Sequence, residues 1–194
     1  MSINKINLIK VISFANSITE KVPFFLESVH IIKNRIIFYC KFQNLYLFLE
    51  FLKKHTYLQY SILIDITGVD YPFNKKRYEL VYQLLSIYYN HRIMIKVRLN
   101  ELISINSLFL LYKSSVWMER EIWDFFGIFF TFHPDLRRIL TDYGFQGFPL
   151  RKDFPLTGFI ELYYDDEAKL VVYESLELAQ EFRFFDFQSP WKQY

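Results

Sequence analysis

The chain has 194 residues, 52% of them hydrophobic and 21% aromatic, with 5 Gly and 6 Pro; this suits one domain with a real core plus a sizeable further segment, and excludes wholesale disorder. Its 23 basic and 21 acidic residues leave a net charge of +2, too balanced for a general electrostatic grip on nucleic acid. The single cysteine, Cys40, excludes an internal disulfide and a four-cysteine zinc or iron–sulfur site held by this chain alone, and no apolar run approaches the roughly 18 to 20 residues that span a bilayer.

The N-terminal stretch places Ile3, Ile6, Ile9 and Ile12 at helical spacing, with neither a secretory h-region nor an arginine-rich transit composition, and reads as a helix of the mature chain. Pro23 breaks it. Two short β-branched runs follow, Glu27 to Lys33 and Arg35 to Lys41, joined through Lys33-Asn34 as a hairpin. Asn44 is placed to cap a helix whose apolar face holds Leu45, Leu47, Phe48, Phe51 and Leu52, and which ends at Lys53-Lys54-His55, where the helix dipole favours basic residues. Three more strands are predicted over Leu58 to Thr67, Tyr78 to Tyr88 and Arg92 to Leu99. The first runs into a turn at Gly68 to Pro72, and a hairpin at Asn90-His91 joins the other two. The last strand alternates cleanly, with Ile93, Ile95, Val97 and Leu99 on one face and Arg92, Met94, Lys96 and Arg98 on the other. The basic side reads as a solvated sheet face or as a contact for an acidic partner.

The densest chemistry lies between Trp117 and Leu140, where four carboxylates, three arginines and a histidine stand among aromatic residues. At about 100° per residue, Val116 to Phe126 forms a helix stopped by Gly127. Met118, Ile122, Trp123, Phe125 and Phe126 share one arc with Val116. Glu119 falls in its middle, Arg120 and Asp124 share the opposite side, and Glu121 lies beyond them. Acids so dispersed do not suit a metal site or a paired-carboxylate acid/base site, and no Ser or Cys stands near His133 in sequence as a nucleophile. Glu119 is expected to be buried and bridged to Arg137, Arg138 or another buried arginine, because a lone buried carboxylate costs several kcal/mol. The structural reading of that pair, as a fixture for the chain's exit from the domain, is preferred to catalysis.

Eight of the eleven Gly and Pro residues lie from Gly127 onward, and the chain from Pro134 shows little helical periodicity. One extended pair is expected, Phe159 to Tyr164 and Lys169 to Tyr173, turning at Asp165-Asp166-Glu167. The organisation predicted is therefore an α+β domain over residues 1–133, with a mostly antiparallel sheet of about five strands and helices on one face. A long extended tail over 134–194 would order by lying on neighbouring proteins. No GxGxxG, P-loop, GxSxG or HExxH pattern occurs, which argues against nucleotide binding.

Glu119-Arg120-Glu121, Asp124, Phe125-Phe126, His133, Arg137 and Ile139-Leu140 together resemble the signature of the thirty-kilodalton subunit family of respiratory complex I. The resemblance covers the chain from Tyr57 onward, through the stretches from Asp65 to Pro72, Arg77 to Asn90, His133 to Phe145, Pro149 to Gly158 and Glu181 to Trp191. Phe148 and Ser175 depart from it, where His and Pro are expected. The wealth of Ile, Phe, Tyr, Asn and Lys suits the mitochondrially encoded form of the family. The resemblance implies a non-catalytic structural and assembly subunit in the quinone-reducing module of the peripheral arm of proton-pumping NADH:ubiquinone oxidoreductase. It would lie on the matrix side of the mitochondrial inner membrane, beside the forty-nine-kilodalton subunit and the iron–sulfur subunits of a hetero-oligomer. NADH, FMN, iron–sulfur clusters and ubiquinone would sit in neighbouring subunits, with no catalytic, cofactor or metal residue here. Glu119, Arg120, Glu121, Asp124, His133, Arg137 and Arg138 would form a structural signature. The alternatives are an independent acid/base or metal enzyme using Glu119, Asp124 and His133, and a homologous subunit of a hydrogenase-type or ferredoxin-linked complex.

Overall fold

Alternation builds the sheet. In β5 (His91–Leu99) Ile93, Ile95, Val97 and Leu99 are all buried, and in β4 (Tyr78–Ser86) Tyr78, Leu80, Tyr82 and Leu84 point to the same side. The computed structural model describes residues 3–33, 35–187, 189 and 191, with side chains from Ile9 onward. Five strands run in the order β1-β2-β5-β4-β3, adding β1 (Leu26–Ile32), β2 (Arg35–Cys40) and β3 (Ile62–Asp70). All neighbouring pairs are antiparallel except β2 and β5, whose Ile36 to Cys40 run parallel to Ile93 to Val97. Three helices, α1 (Ile3–Lys21), α2 (Leu45–Lys54) and α3 (Ser115–Phe126), feed one core with that face of the sheet. Ala15 and Ile18 come from α1, Leu45, Phe48, Leu49 and Leu52 from α2, and Ile122 and Phe126 from α3. This is the expected α+β class with helices on one face.

Several local expectations change. Asn44 makes no side-chain cap on α2; its Nδ2 donates to the Phe24 carbonyl at 3.2 Å, and a 3-10 turn over Phe42–Asn44 starts the helix instead. Gly68 to Asp70 are not a turn but the end of β3. Gly68 is needed there because an added Cβ would lie 2.8 Å from the Phe126 ring. The β1–β2 hairpin forms as expected, with Lys33 at φ 48°, while Asn34 falls outside the described residues.

A second, smaller pairing matters more for the site. β6 (Ile105–Asn106) and β7 (Phe130–Thr131) pair in parallel across the two ends of α3, reinforced by the Ser107 N–H donating to the Thr131 carbonyl at 2.9 Å. Strands this short carry no periodicity for a sequence to reveal.

The chain forms two compact units, Met1–Phe154 and Pro155–Tyr194. The expected boundary at 133/134 therefore falls short by the segment 134–154, which is tied into the first unit by buried hydrogen bonds. The second unit holds one antiparallel hairpin, β8 (Ile160–Asp165) with β9 (Leu170–Ser175), close to the extended pair expected. Along it Leu162, Tyr164, Leu170, Val171 and Tyr173 are all exposed, as are Phe182, Phe184, Phe185 and Phe187 beyond it.

Candidate functional site

α3 carries the signature residues, and its two faces meet different surroundings. Gly127 ends it in the left-handed region at φ 74°, its N–H returning to the Trp123 carbonyl at 3.0 Å. A Cβ at Gly127 would lie 2.6 Å from both Phe148 and Arg151, so the position needs glycine for conformation and for space.

Glu119 is fully buried, as expected, but no arginine among the described residues meets it. Ser107 Oγ lies 2.5 Å from Oε2, the Leu108 N–H donates to Oε1 at 2.8 Å, and His133 Nε2 stands 3.9 Å away. The expected bridge to Arg137 or Arg138 is thus replaced by neutral donors, which the β6–β7 bridge makes possible. Ser107 and Leu108 follow β6 and His133 follows β7, so both strand ends arrive beside Glu119. Burial pushes the Glu119 carboxyl up to about 6 against the pull of Ser107 and Leu108. The buried Tyr82 hydroxyl, without a partner among the described residues, is pushed up by burial and then by Glu119.

His133 is held by backbone at both ring nitrogens. Nδ1 accepts from the Asp135 N–H at 3.1 Å, which assigns the proton to Nε2, 3.1 Å from the Val116 carbonyl. Its side chain is fully buried.

The arginine partner belongs to Asp124, on the side of the helix expected to be polar. That side is buried too. Asp124 has no exposed surface and accepts from Arg138 Nη1 at 3.0 Å, from the N–H groups of Ile139, Leu140 and Thr141 at 3.2, 2.8 and 2.9 Å, and from Thr141 Oγ1 at 2.5 Å. Burial raises its carboxyl, and the donors of Thr141, Leu140 and Ile139 outweigh that and bring it down to about 2. Arg120 is also buried, donating to the carbonyls of Arg137 and Arg138 at 3.2 Å each. Arg137 reaches outward to Asp135 at 3.0 Å, and Glu121 is exposed.

A second clamp, which the sequence reading misses, fastens residues 150–153. Asp70 takes a bidentate grip from Arg77 at 2.8 and 3.0 Å and the Lys152 N–H at 2.8 Å. Arg77 continues to Asp153 at 3.0 Å, while Arg151 donates to the Phe126 carbonyl at 2.7 Å and pairs with Glu101 at 3.0 Å. Burial raises the Asp70 carboxyl, and Arg77 with the Lys152 N–H brings it below its ordinary value. The available signal was the close spacing of Asp70 and Arg77 across one β-hairpin loop.

Each acid is engaged separately, so the arrangement offers no convergent carboxylate pair, and among the described residues no three His, Cys, Asp or Glu side chains could hold a metal. Cys40 is buried, its thiol pushed up to about 12 by burial and then by Glu27. With one cysteine in the whole chain, these residues do not fit an iron–sulfur cluster. What the α3 site does is fasten: it holds residues 133–153 across the helix.

The family model for the respiratory-chain NADH dehydrogenase 30 Kd subunit matches residues 38–160. The chain is 52% identical over 181 residues to NADH-ubiquinone oxidoreductase subunit 9 of Prototheca wickerhamii, covering 93% of this chain and 94% of that one. To NADH dehydrogenase [ubiquinone] iron-sulfur protein 3 of Oryza sativa subsp. japonica it is 56% identical over 156 residues, 80% of this chain and 82% of that one. Among solved structures, it is similar to a chain of the membrane-bound sulfane sulfur reductase, an archaeal respiratory membrane complex. There the TM-score is 0.65 with 25% identity, over 76% of this chain and 86% of that one. The fold is also that of Nqo5 fragment 1-134, with a TM-score of 0.52 and 23% identity, over 67% of this chain and 99% of that one.

Proposed function

The chain belongs to the thirty-kilodalton subunit family of the respiratory-chain NADH dehydrogenase, and from that membership we propose that it is a non-catalytic structural and assembly subunit of the enzyme's peripheral arm, in the quinone-reducing module. Electron transfer from NADH to ubiquinone then belongs to the whole complex, and this chain binds no cofactor. NADH, FMN, iron–sulfur clusters and ubiquinone are held by neighbours, among them the forty-nine-kilodalton subunit and the iron–sulfur subunits. The complex sits at the mitochondrial inner membrane, with this chain on the matrix side. No helix among the described residues is long and apolar enough to cross a membrane, which is consistent with attachment through partners.

The observation that carries the reading is the exposed aromatic surface of residues 155–187. Phe182 is 43% exposed, Phe184 88%, Phe185 63% and Phe187 91%, a density that monomeric proteins rarely leave in water. The α3 site supports it from the other side, since every buried acid there is spent on holding chain, leaving none positioned as a general acid or base.

The test is to tag the full chain, solubilise its native membrane in mild detergent and resolve the assemblies. The chain should co-migrate with an NADH-oxidising, flavin-containing complex, and the purified chain alone should show no NADH:quinone turnover. Turnover or stoichiometric metal in the isolated chain would return Glu119, Asp124 and His133 to an enzymatic reading. Migration with an assembly lacking a flavin-containing NADH module would point to a hydrogenase-type or ferredoxin-linked complex.

A further inference from the structure

We infer that the sheet face turned away from the helices carries a docking site for an acidic segment of a different protein chain, centred on the cleft between Lys75, Lys76, Lys96 and Arg98. The cleft has a volume of about 500 Å³ and is walled by Tyr39, Tyr71 and Asn74, with Glu79 at its floor. Glu79 pairs directly across the ladder with Arg98, so both stand on the face opposite the core residues Leu80 and Val97.

The charges do not balance within the chain. Glu79 is only 3% exposed and is saturated by Lys96 Nζ at 2.7 Å and Arg98 Nε at 3.2 Å. Arg98 also lies 4.8 Å from the centre of the Tyr39 ring. At the rim, Lys76 reaches Glu27 at 3.2 Å, whereas Lys75 has no partner among the described residues. Four cations thus face two carboxylates, and the excess positive charge is presented at the mouth of the cleft.

The rim also says what kind of anion fits. Tyr71 is 42% exposed and Phe73, in the same loop, is fully exposed. A bare phosphate or a lipid headgroup would leave those rings in water, and a dianion reaching the floor would meet the Glu79 carboxylate. No glycine-rich loop or helix N-terminus contributes backbone N–H groups to the cleft. A peptide segment carrying Asp or Glu side chains engages Lys75, Lys76 and the outer edge of Arg98 while its neighbouring residues cover Tyr71 and Phe73. The inference rests on this face alone and is independent of what residues 155–194 do.

The test uses the assembled native complex. Carbodiimide treatment, which joins an amine directly to a carboxylate, should link Lys75 or Lys76 to an Asp or Glu of another chain. Both lysines should resist an amine-labelling reagent that modifies the exposed Lys113. The full chain carrying Lys75→Glu and Lys76→Glu should then keep that neighbour about tenfold less well on raising the salt, whereas Lys113→Glu should behave as wild type. A compensating acid-to-lysine change in the linked neighbour should restore retention. Links confined to Glu27 or Glu79, or to Asp165, Asp166 and Glu167 of this same chain, would overturn the inference. So would labelling of Lys75 as fast as Lys113, or protection that disappears on delipidation with no interchain link.

Discussion

Glu119 holds its proton over a pH range in which a free glutamate has lost it. Its carboxyl titrates at about 6 rather than 4.5, so the folded chain binds more protons than the unfolded chain between those values. The stabilisation is fully present below 4.5 and is lost as pH rises through about 6, a difference of about 2 kcal/mol. Gln in this place can accept from the Leu108 N–H and donate to Ser107 Oγ without ever ionising. Glu119→Gln should therefore remove that pH dependence and leave the full chain as stable at pH 7.5 as at pH 5 in this respect. Urea unfolding at the two pH values checks it, and an unchanged slope in the variant would mean that another group titrates. The burial of Glu119 was legible because it interrupts an apolar arc. Its partners were not, because one is a backbone N–H and both reach it through two-residue strands.

α3 reads as amphipathic, and its helix limits and glycine stop are as the spacing predicts. Polarity misleads about exposure here: Arg120 and Asp124 lie under residues 137–141, which a helical-wheel argument cannot know are coming back. Asp124→Asn takes away the charge that answers Arg138 and one of the acceptors for three backbone N–H groups. Arg138 keeps part of its side chain in water, so the loss falls below the about 3–5 kcal/mol of a fully buried pair. The variant should show a lower urea midpoint and rapid tryptic cutting at Arg137 and Arg138; wild-type protease resistance would contradict the clamp. Because hydrogen bonding holds the Asp124 carboxyl at about 2 rather than 3.8, its contribution is present above 3.8 and is lost only as pH falls through about 2. At the helix end, Gly127→Ala meets both a left-handed backbone and the Phe148 ring, and should destabilise by about 1–3 kcal/mol. Thermal unfolding beside a surface Gly144→Ala control, where the φ is also 74° but an added Cβ meets nothing within 4 Å, would separate the two causes.

For the whole molecule, a stop after Leu140 deletes Thr141, Arg151, Lys152 and Asp153, and with them much of both clamps. A stop after Phe154 keeps both clamps. The shorter chain should be insoluble or protease-sensitive, the longer one should fold with a cooperative transition yet fail to enter the complex. Normal assembly of the longer chain would refute docking by the C-terminal unit. The class, five strands and helix positions were legible because alternation and helical spacing are local; the boundary at Phe154 was not, because Asp70 meets Lys152 only in three dimensions. The parallel seam between β2 and β5 within the five-stranded sheet sets an order of events during synthesis. The β1–β2 hairpin can close as soon as it emerges, but Ile36, Phe38 and Cys40 cannot gain their second sheet neighbour until Ile93 to Val97 have been made. Such late, non-local pairing is slow and leaves a sticky edge open in the meantime. Until β5 is made, that edge of β2 is the part of the sheet most open to pairing with the wrong strand.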